Sequence, residues 1–172
     1  MKLTLAATAI AAIAATTFAA EHSLNCHKYD SGSLRYVVTG KSPDYREVSA
    51  INVDDDGHLT TRNGSPAAVD LFRCHPPTGF KGGKHHGQIR NNHGSCLQAD
   101  DLSKSYSPLS FAPCNDNNPR LQWWASRDSR LTFLGNLNDT ERNTAFTNAS
   151  DVPGVSISDS QVPYALYIEV SH

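Results

Sequence analysis

The chain has 172 residues, of which 19% are charged and 38% hydrophobic, with 15 basic and 17 acidic side chains. The near balance of charge argues against a general binder of nucleic acids, and the ordinary composition argues against a disordered chain. The length suits one folded domain with a core of its own.

The N-terminal segment 1–20 is predicted to be a secretion signal that is removed from the mature protein. Lys2 precedes an apolar run rich in Ala, Leu and Ile, and Thr17-Phe18-Ala19 places small residues at the positions that signal peptidase requires. This run is too short and too rich in Ala for a membrane anchor, and no second apolar stretch of about 20 residues follows it. We therefore expect a secreted, extracellular protein with no membrane span and a single domain over residues 21–172.

Cysteines and glycosylation motifs both fit secretion. Four cysteines lie in the predicted mature part: Cys26, Cys74, Cys96 and Cys114. An even number of cysteines behind a secretion signal predicts two disulfides, and three pairings are open on this count alone. Three Asn-x-Ser/Thr triplets predict N-glycosylation at Asn63, Asn138 and Asn148. Pro66 directly after the first triplet is expected to weaken that site.

Short runs of alternating apolar and polar residues predict β-strands throughout the mature chain, and no window shows the spacing of an amphipathic helix. In chain order the alternating apolar positions are Leu34, Tyr36 and Val38; Val69 and Leu71; Leu109 and Phe111; Leu131 and Phe133; Val155 and Ile157; and Tyr164, Leu166, Ile168 and Val170. Clusters of Gly, Pro, Asn and Asp between the runs predict turns. The predicted fold class is all-β, either a barrel or a two-sheet β-sandwich.

The chain carries no motif that establishes a metal site or a catalytic centre. Residues 52–57 imitate the first half of a calcium loop, but Asn63 stands where that loop needs a bidentate Glu, so we predict a hairpin turn. The histidines around His85 and His86 lack metal-ligand spacing, and the chain contains no Gly-x-Ser-x-Gly motif. We predict no metal, no cofactor and no catalytic residue.

A faint internal repeat favours a barrel built from similar units. Segments 57–59 and 69–74 are echoed by segments 87–89 and 109–114, at offsets of 30 and 40 residues. A third copy without cysteines extends over residues 130–170. Repeats of this length imply one supersecondary unit each, and several units are needed to close a shared core.

The second repeat resembles the unit of ricin B-type lectins over residues 87–124. The matching segments are Ser95-Cys96-Leu97-Gln98-Ala99, then Pro108 to Cys114, then Leu121-Gln122-Trp123-Trp124, which contains a Gln-x-Trp motif. The resemblance implies a β-trefoil in which Gln122 and Trp124 are structural, with the indole in the barrel core. It also implies a disulfide between Cys96 and Cys114, which leaves Cys26 to pair with Cys74.

The resemblance further implies where a sugar would bind. In the family the sugar contacts come from an aspartate after the first cysteine, an aromatic ring before the second, and an asparagine before the motif glutamine. Here those positions hold Gln98, Ala112 and Leu121, so we expect a degenerate or shifted site. The candidate contacts are Gln98, Asp100, Gln122 and Trp123, with Asp101 and Tyr106 nearby.

The expected function is non-catalytic carbohydrate binding, with glycans or cell-wall polysaccharide as partners. The first alternative is a protein-binding trefoil such as a protease inhibitor, in which an exposed loop such as 75–87 or 115–120 contacts a secreted or host protein. The second alternative is a small secreted hydrolase, supported by the loop around His85 and His86. The Ala- and Thr-rich signal and the small secreted format favour a fungal source.

Overall fold

The computed structural model describes residues 24–39, 46–61, 64–76, 85–104, 106–127, 130–135, 143–147, 154–158 and 165–171. The predicted signal segment 1–20 and the predicted glycosylation sites Asn63, Asn138 and Asn148 lie outside these residues. The described part consists of strands, turns and one short 3-10 helix, so the all-β prediction is confirmed. In this part, no helix has the length and apolar character that crossing a membrane requires.

Thirteen strands follow one another along the described residues. In chain order they are β1 (Cys26–Thr39), β2 (Arg46–Ala50), β3 (Asn52–Val53), β4 (Leu59–Thr60), β5 (Ala68–Cys74), β6 (His86–Asn91), β7 (Cys96–Ala99), β8 (Tyr106–Ala112), β9 (Trp124–Arg127), β10 (Arg130–Phe133), β11 (Asn143–Thr147), β12 (Gly154–Ser158) and β13 (Ala165–Ser171). The 3-10 helix (Pro119–Gln122) separates β8 from β9. Five of the six alternating runs found in the sequence lie wholly on one of these strands; Leu166, Ile168 and Val170 of the sixth lie on β13, and Tyr164 lies outside the described residues.

The alternation in the sequence corresponds to alternating burial of side chains. On β5, Val69 and Leu71 are buried while Ala68 and Arg73 are exposed. On β10, Leu131 and Phe133 are buried while Arg130 is exposed. Because successive side chains of a strand point to opposite faces, one face of β5 and one face of β10 pack into the core.

The strands pair in antiparallel fashion, and six of them form a closed ring. The ring runs β6–β5–β1–β13–β10–β9, and pairing of Gly87 on β6 with Trp124 on β9 closes it. Outside the ring, β7 and β8 continue from β6, and the β11–β12 hairpin pairs with β8. The β3–β4 hairpin contacts β8 through a bridge between His58 and Ser110.

The main hydrophobic core takes side chains both from the ring and from the strands outside it. Its buried residues include Leu34, Ile89, Leu97, Leu109, Trp124, Phe133 and Ile157. A second, smaller apolar cluster contains Cys74, Trp123 and Leu134. The neighbouring residues Trp123 and Trp124 enter different clusters because successive residues of an extended chain point to opposite sides.

Two disulfides tie neighbouring strands together, with the pairing that the resemblance implied. Cys26 lies directly opposite Cys74 in the β1–β5 ladder and is bonded to it. Cys96 at the start of β7 is bonded to Cys114, which follows β8. The sequence separations are 48 and 18 residues, so the first bridge closes much the longer loop.

Candidate functional site

Gln122 holds in place the loop that follows the second disulfide. Its side chain is buried in the 3-10 helix. The Oε1 atom accepts a hydrogen bond from the backbone N–H of Asn115 at 2.8 Å. The Nε2 atom donates to the carbonyl of Pro113 at 2.9 Å and to Oε1 of Gln98 at 3.2 Å. One buried amide therefore fastens this loop to β7, which is a structural role.

Replacing Gln122 by alanine is expected to lower the free energy of unfolding by about 2 kcal/mol, because the backbone groups of Asn115 and Pro113 lose their partner. Gln98→Ala is the matched control, since it removes one hydrogen bond from a half-buried side chain and is expected to cost less than about 1 kcal/mol. Equilibrium urea unfolding measures both values. Equal, small losses would contradict the role assigned to Gln122.

Both tryptophans of the motif segment are buried. The Trp124 indole donates to the carbonyl of Leu97 at 2.9 Å and packs edge-to-face on Phe133, with 5.1 Å between ring centroids. Trp123, expected to contact a sugar, is 0% exposed. Gln122 is 2% exposed, so both of these candidate side chains lie in the interior of the protein.

Gln98 and Asp100 lie on one polar face together with Ser110 and His58. Gln98 on β7 is directly opposite Ser110 on β8, and Asp100 lies two residues beyond Gln98, hence on the same side. The Ser110 hydroxyl donates to Oδ1 of Asp100. His58 places Nε2 3.3 Å from Oδ2 of Asp100. Both carboxylate oxygens of Asp100 thus have a protein partner that fixes their orientation.

Tyr106 adds an aromatic ring to the same face. Among the large apolar side chains that the described residues expose, it is the one aromatic. The N–H of Asp100 donates to the carbonyl of Pro108 at 3.0 Å, and Tyr106 lies two residues from Pro108 on β8. Diagonal neighbours in such a pair are about 7 to 8 Å apart, within reach of a tyrosine ring. We name His58, Asp100, Tyr106 and Ser110 the Asp100 surface.

Asp101 places a second carboxylate beside this surface. The hydroxyl and the N–H of Ser103 donate to its Oδ1 at 2.6 and 2.9 Å and hold the pKa of Asp101 below its usual value. The Lys104 ammonium, 3.6 Å from Oδ2, acts in the same direction. Asp101 therefore keeps its negative charge to a lower pH than a free aspartate does.

The turn between β3 and β4 brings together side chains of metal-binding type. The ligand atoms of Asp54, Asp56 and His58 lie within 4.8 Å of one another. However, Oδ1 of Asp54 accepts the backbone N–H groups of Asp56 at 3.1 Å and His58 at 2.8 Å, and so closes the turn. The predicted hairpin is confirmed, and we assign no metal to this group.

One of the two histidines that supported a hydrolase, His85, lies beside a very narrow cavity. The exposed His85 ring packs on Tyr29, with 5.4 Å between ring centroids, and burial raises the pKa of Tyr29. The cavity lined by Tyr29, His85 and Ser126 has a volume of about 10 Å³, room for roughly one water molecule. In the described part of this region, which excludes residues 77–84, this cavity is too small for a substrate.

A buried polar group connects β6 with the loop after β8. Oε1 of Gln88 accepts from the guanidinium of Arg90 at 2.6 and 3.2 Å, and Nε2 donates to Oδ1 of Asp116 at 3.3 Å. The same guanidinium lies 4.4 Å from the centroid of the Phe72 ring. The Arg90 guanidinium therefore has both a hydrogen-bond partner and an aromatic partner within the protein.

Sequence analysis missed two residues of the Asp100 surface, His58 and Ser110. His58 carries no local signal, because it reaches this surface only through a bridge to the distant strand β8, and Ser110 gains its role from lying opposite Gln98 in the β7–β8 pair. Comparisons of the chain with family models, with curated proteins and with solved structures each give no match.

Proposed function

We propose that the protein is a secreted, non-catalytic carbohydrate-binding protein that holds its ligand at the Asp100 surface. The observation that carries the proposal is the placement of an oriented carboxylate and an exposed aromatic side chain at diagonal positions of the β7–β8 pair. The Asp100 side chain is 28% exposed, and Tyr106 is 42% exposed. A carboxylate accepts hydrogen bonds from neighbouring sugar hydroxyls, while an aromatic face covers the apolar side of the sugar ring.

The partners of Asp100 prepare it for such a ligand. Ser110 and His58 hold its two oxygens, so little conformational freedom is lost when a ligand binds. Each carboxylate oxygen has two lone pairs and can accept a further hydrogen bond from a sugar hydroxyl. The proposed ligand contact at Asp100 thus lies two residues along the chain from Gln98. The Gln98 side chain is hydrogen-bonded to Gln122.

The fold that we propose is a β-trefoil of the ricin B type. The closed ring of six strands with hairpins outside it supports a trefoil over the two-sheet β-sandwich, whose strands form two stacked layers. The positions of Gln122 and Trp124 and the disulfide between Cys96 and Cys114 fit the second repeat of such a fold. An experimental structure with threefold internal symmetry is the expected result; its absence would contradict the proposal.

The test of function is a screen of the oxidised, secreted protein against glycans and polysaccharides, followed by titration of the best ligand. Asp100→Asn is expected to raise Kd about tenfold or more, because it removes a charge-assisted acceptor. Tyr106→Ala is expected to raise it by a similar factor through loss of the ring contact.

Two matched controls accompany these variants. Asp116→Asn changes a half-buried aspartate that accepts one hydrogen bond away from β7, and Val48→Ala shortens another exposed apolar side chain. Both are expected to bind like the parent protein. The proposal fails if no glycan binds, or if Asp100→Asn and Tyr106→Ala bind as tightly as the two controls.

A second candidate, inhibition of a secreted protease, is supported by the loop after Cys114. Its backbone is held by Gln122, by a 2.9 Å hydrogen bond from the Asn118 N–H to the Asn115 side chain, and by Asn118 itself at the N-terminus of the 3-10 helix. A loop held in one shape loses little freedom on entering a cleft. Nanomolar inhibition in a protease panel, lost in Arg120→Ala, would favour this function.

A further inference from the structure

An open depression lies on strands remote from the Asp100 surface. Its lining includes Ser31, Ser33, Ala68, Asp70, Asn92 and Ser171. In the strand order, β6 separates the β5 and β1 walls of this depression from β7 and β8. The volume is about 410 Å³, within the range of roughly 300 to 1,000 Å³ of small-molecule sites.

The strand register explains why these side chains share one face. Ser31 on β1 is directly opposite Asp70 on β5, and Ser33 is opposite both Ala68 on β5 and Ser171 on β13. The small side chains at positions 33, 68 and 171 leave the space open. Between the serines, a Cβ on Gly32 would lie 2.5 Å from the carbonyl oxygen of Ser171, so the backbone approaches there too closely for a larger residue.

Two cations and one carboxylate lie at or beside the depression. The Lys28 ammonium lies 2.6 Å from Oδ1 of Asp70. Arg90, directly opposite Asp70 on β6, is engaged by Gln88 and by the Phe72 ring. Among the described residues, Lys28 is thus paired with a carboxylate, while Arg90 keeps its charge but directs its guanidinium to Gln88 and the Phe72 ring.

The remaining lining groups suit a neutral, hydroxyl-rich ligand. Serine hydroxyls both donate and accept hydrogen bonds, and the second oxygen of Asp70 accepts them. Asn92 is exposed in the turn after β6, and within the described residues its side-chain amide makes no hydrogen bond. An asparagine amide offers two donors and one acceptor, which match the hydroxyl pairs of a sugar.

We propose that this depression is a second carbohydrate site, separate from the Asp100 surface, that takes one sugar unit. The inference rests on the proposed carbohydrate-binding function and extends it, because a molecule with two separate sites joins two glycan chains. It does not require that the Asp100 surface itself bind the same sugar.

The test is a titration of the oxidised, ¹⁵N-labelled full chain with glucose, galactose, mannose and N-acetylglucosamine, followed by backbone amide NMR. We expect saturable shifts at residues 31–33, 70 and 92 with at least one sugar. Asn92→Ala is expected to raise that Kd about tenfold. Ala68→Leu, which fills the depression but keeps its polar groups, is expected to do the same. Asn117→Ala changes another exposed asparagine and is expected to leave Kd unchanged.

The location of the shifts separates this inference from the proposed function. Shifts confined to the Asp100 surface would overturn the second site and support the first. Shifts confined to the depression, and lost in Ala68→Leu, would support the second site and remove the first. Saturation by inorganic phosphate and by no sugar would overturn the neutral-ligand assignment. The absence of any sugar-induced shift would overturn both.

Discussion

Replacing Trp124 by alanine is expected to lower the free energy of unfolding by about 3 to 5 kcal/mol. The indole is 1% exposed, packs on Phe133 and donates a hydrogen bond to the carbonyl of Leu97. Its removal opens a cavity in the main core and leaves that carbonyl without its partner. Because a typical domain is stable by only about 5 to 15 kcal/mol, we expect the variant to be close to unfolding at room temperature.

Guanidinium unfolding followed by circular dichroism measures this loss, and Trp123 remains as a fluorescent reporter. Trp124→Phe is the control, because it keeps an aromatic ring in the core but removes the indole N–H; we expect a smaller loss of about 1 to 2 kcal/mol. A loss below about 1 kcal/mol for Trp124→Ala would place this residue outside the core. The proposed trefoil would then lose its main packing argument.

Replacing Cys26 and Cys74 together by serine is expected to cost about 4 kcal/mol, against about 3 kcal/mol for Cys96 and Cys114 together. The sequence separations of 48 and 18 residues set this order, since a longer closed loop restricts the unfolded chain more. Burial does not separate the two variants, because Cys74 and Cys96 are both buried and serine places a polar group in the interior in each case.

Urea unfolding of the two double variants under identical oxidising conditions checks the order. Each double serine variant serves as the control for the other, because both lose one bridge and gain two hydroxyls. A larger loss from the shorter bridge would show that loop closure does not determine the stabilisation. Native-state contacts around Cys96 would then have to account for it.

The strands were predictable where their pattern is local. Alternation at Val69 and Leu71, or at Leu131 and Phe133, reflects one buried face and is visible within a few residues. The closure of the ring could not be predicted from the sequence, because it depends on the pairing of Gly87 with Trp124, which are distant in sequence. Strands as short as β3 and β4 contain too few residues to show alternation.

The candidate site was predictable only in part, for a related reason. Asp100 and Tyr106 were recognisable as polar and aromatic groups near the motif. The burial of Trp123 was not, because side chains packed against its cluster, among them Leu24 and Phe72, are distant in sequence. His58 reaches Asp100 only through the pairing of the β3–β4 hairpin with β8.

The pairing of β1 with β13 sets an order on biosynthesis. Residues 35–39 can pair with β2 early, but β13, their neighbour on the other side, becomes available only when residues 165–171 have left the ribosome. The β1–β5 ladder and its disulfide, in contrast, need only the first 74 residues. Contacts between such distant segments make folding slow, since the chain loses loop entropy before it gains those contacts. The disulfide between Cys26 and Cys74 can therefore form before the ring of strands is complete. It would reduce the number of conformations open to the chain before β13 pairs with β1.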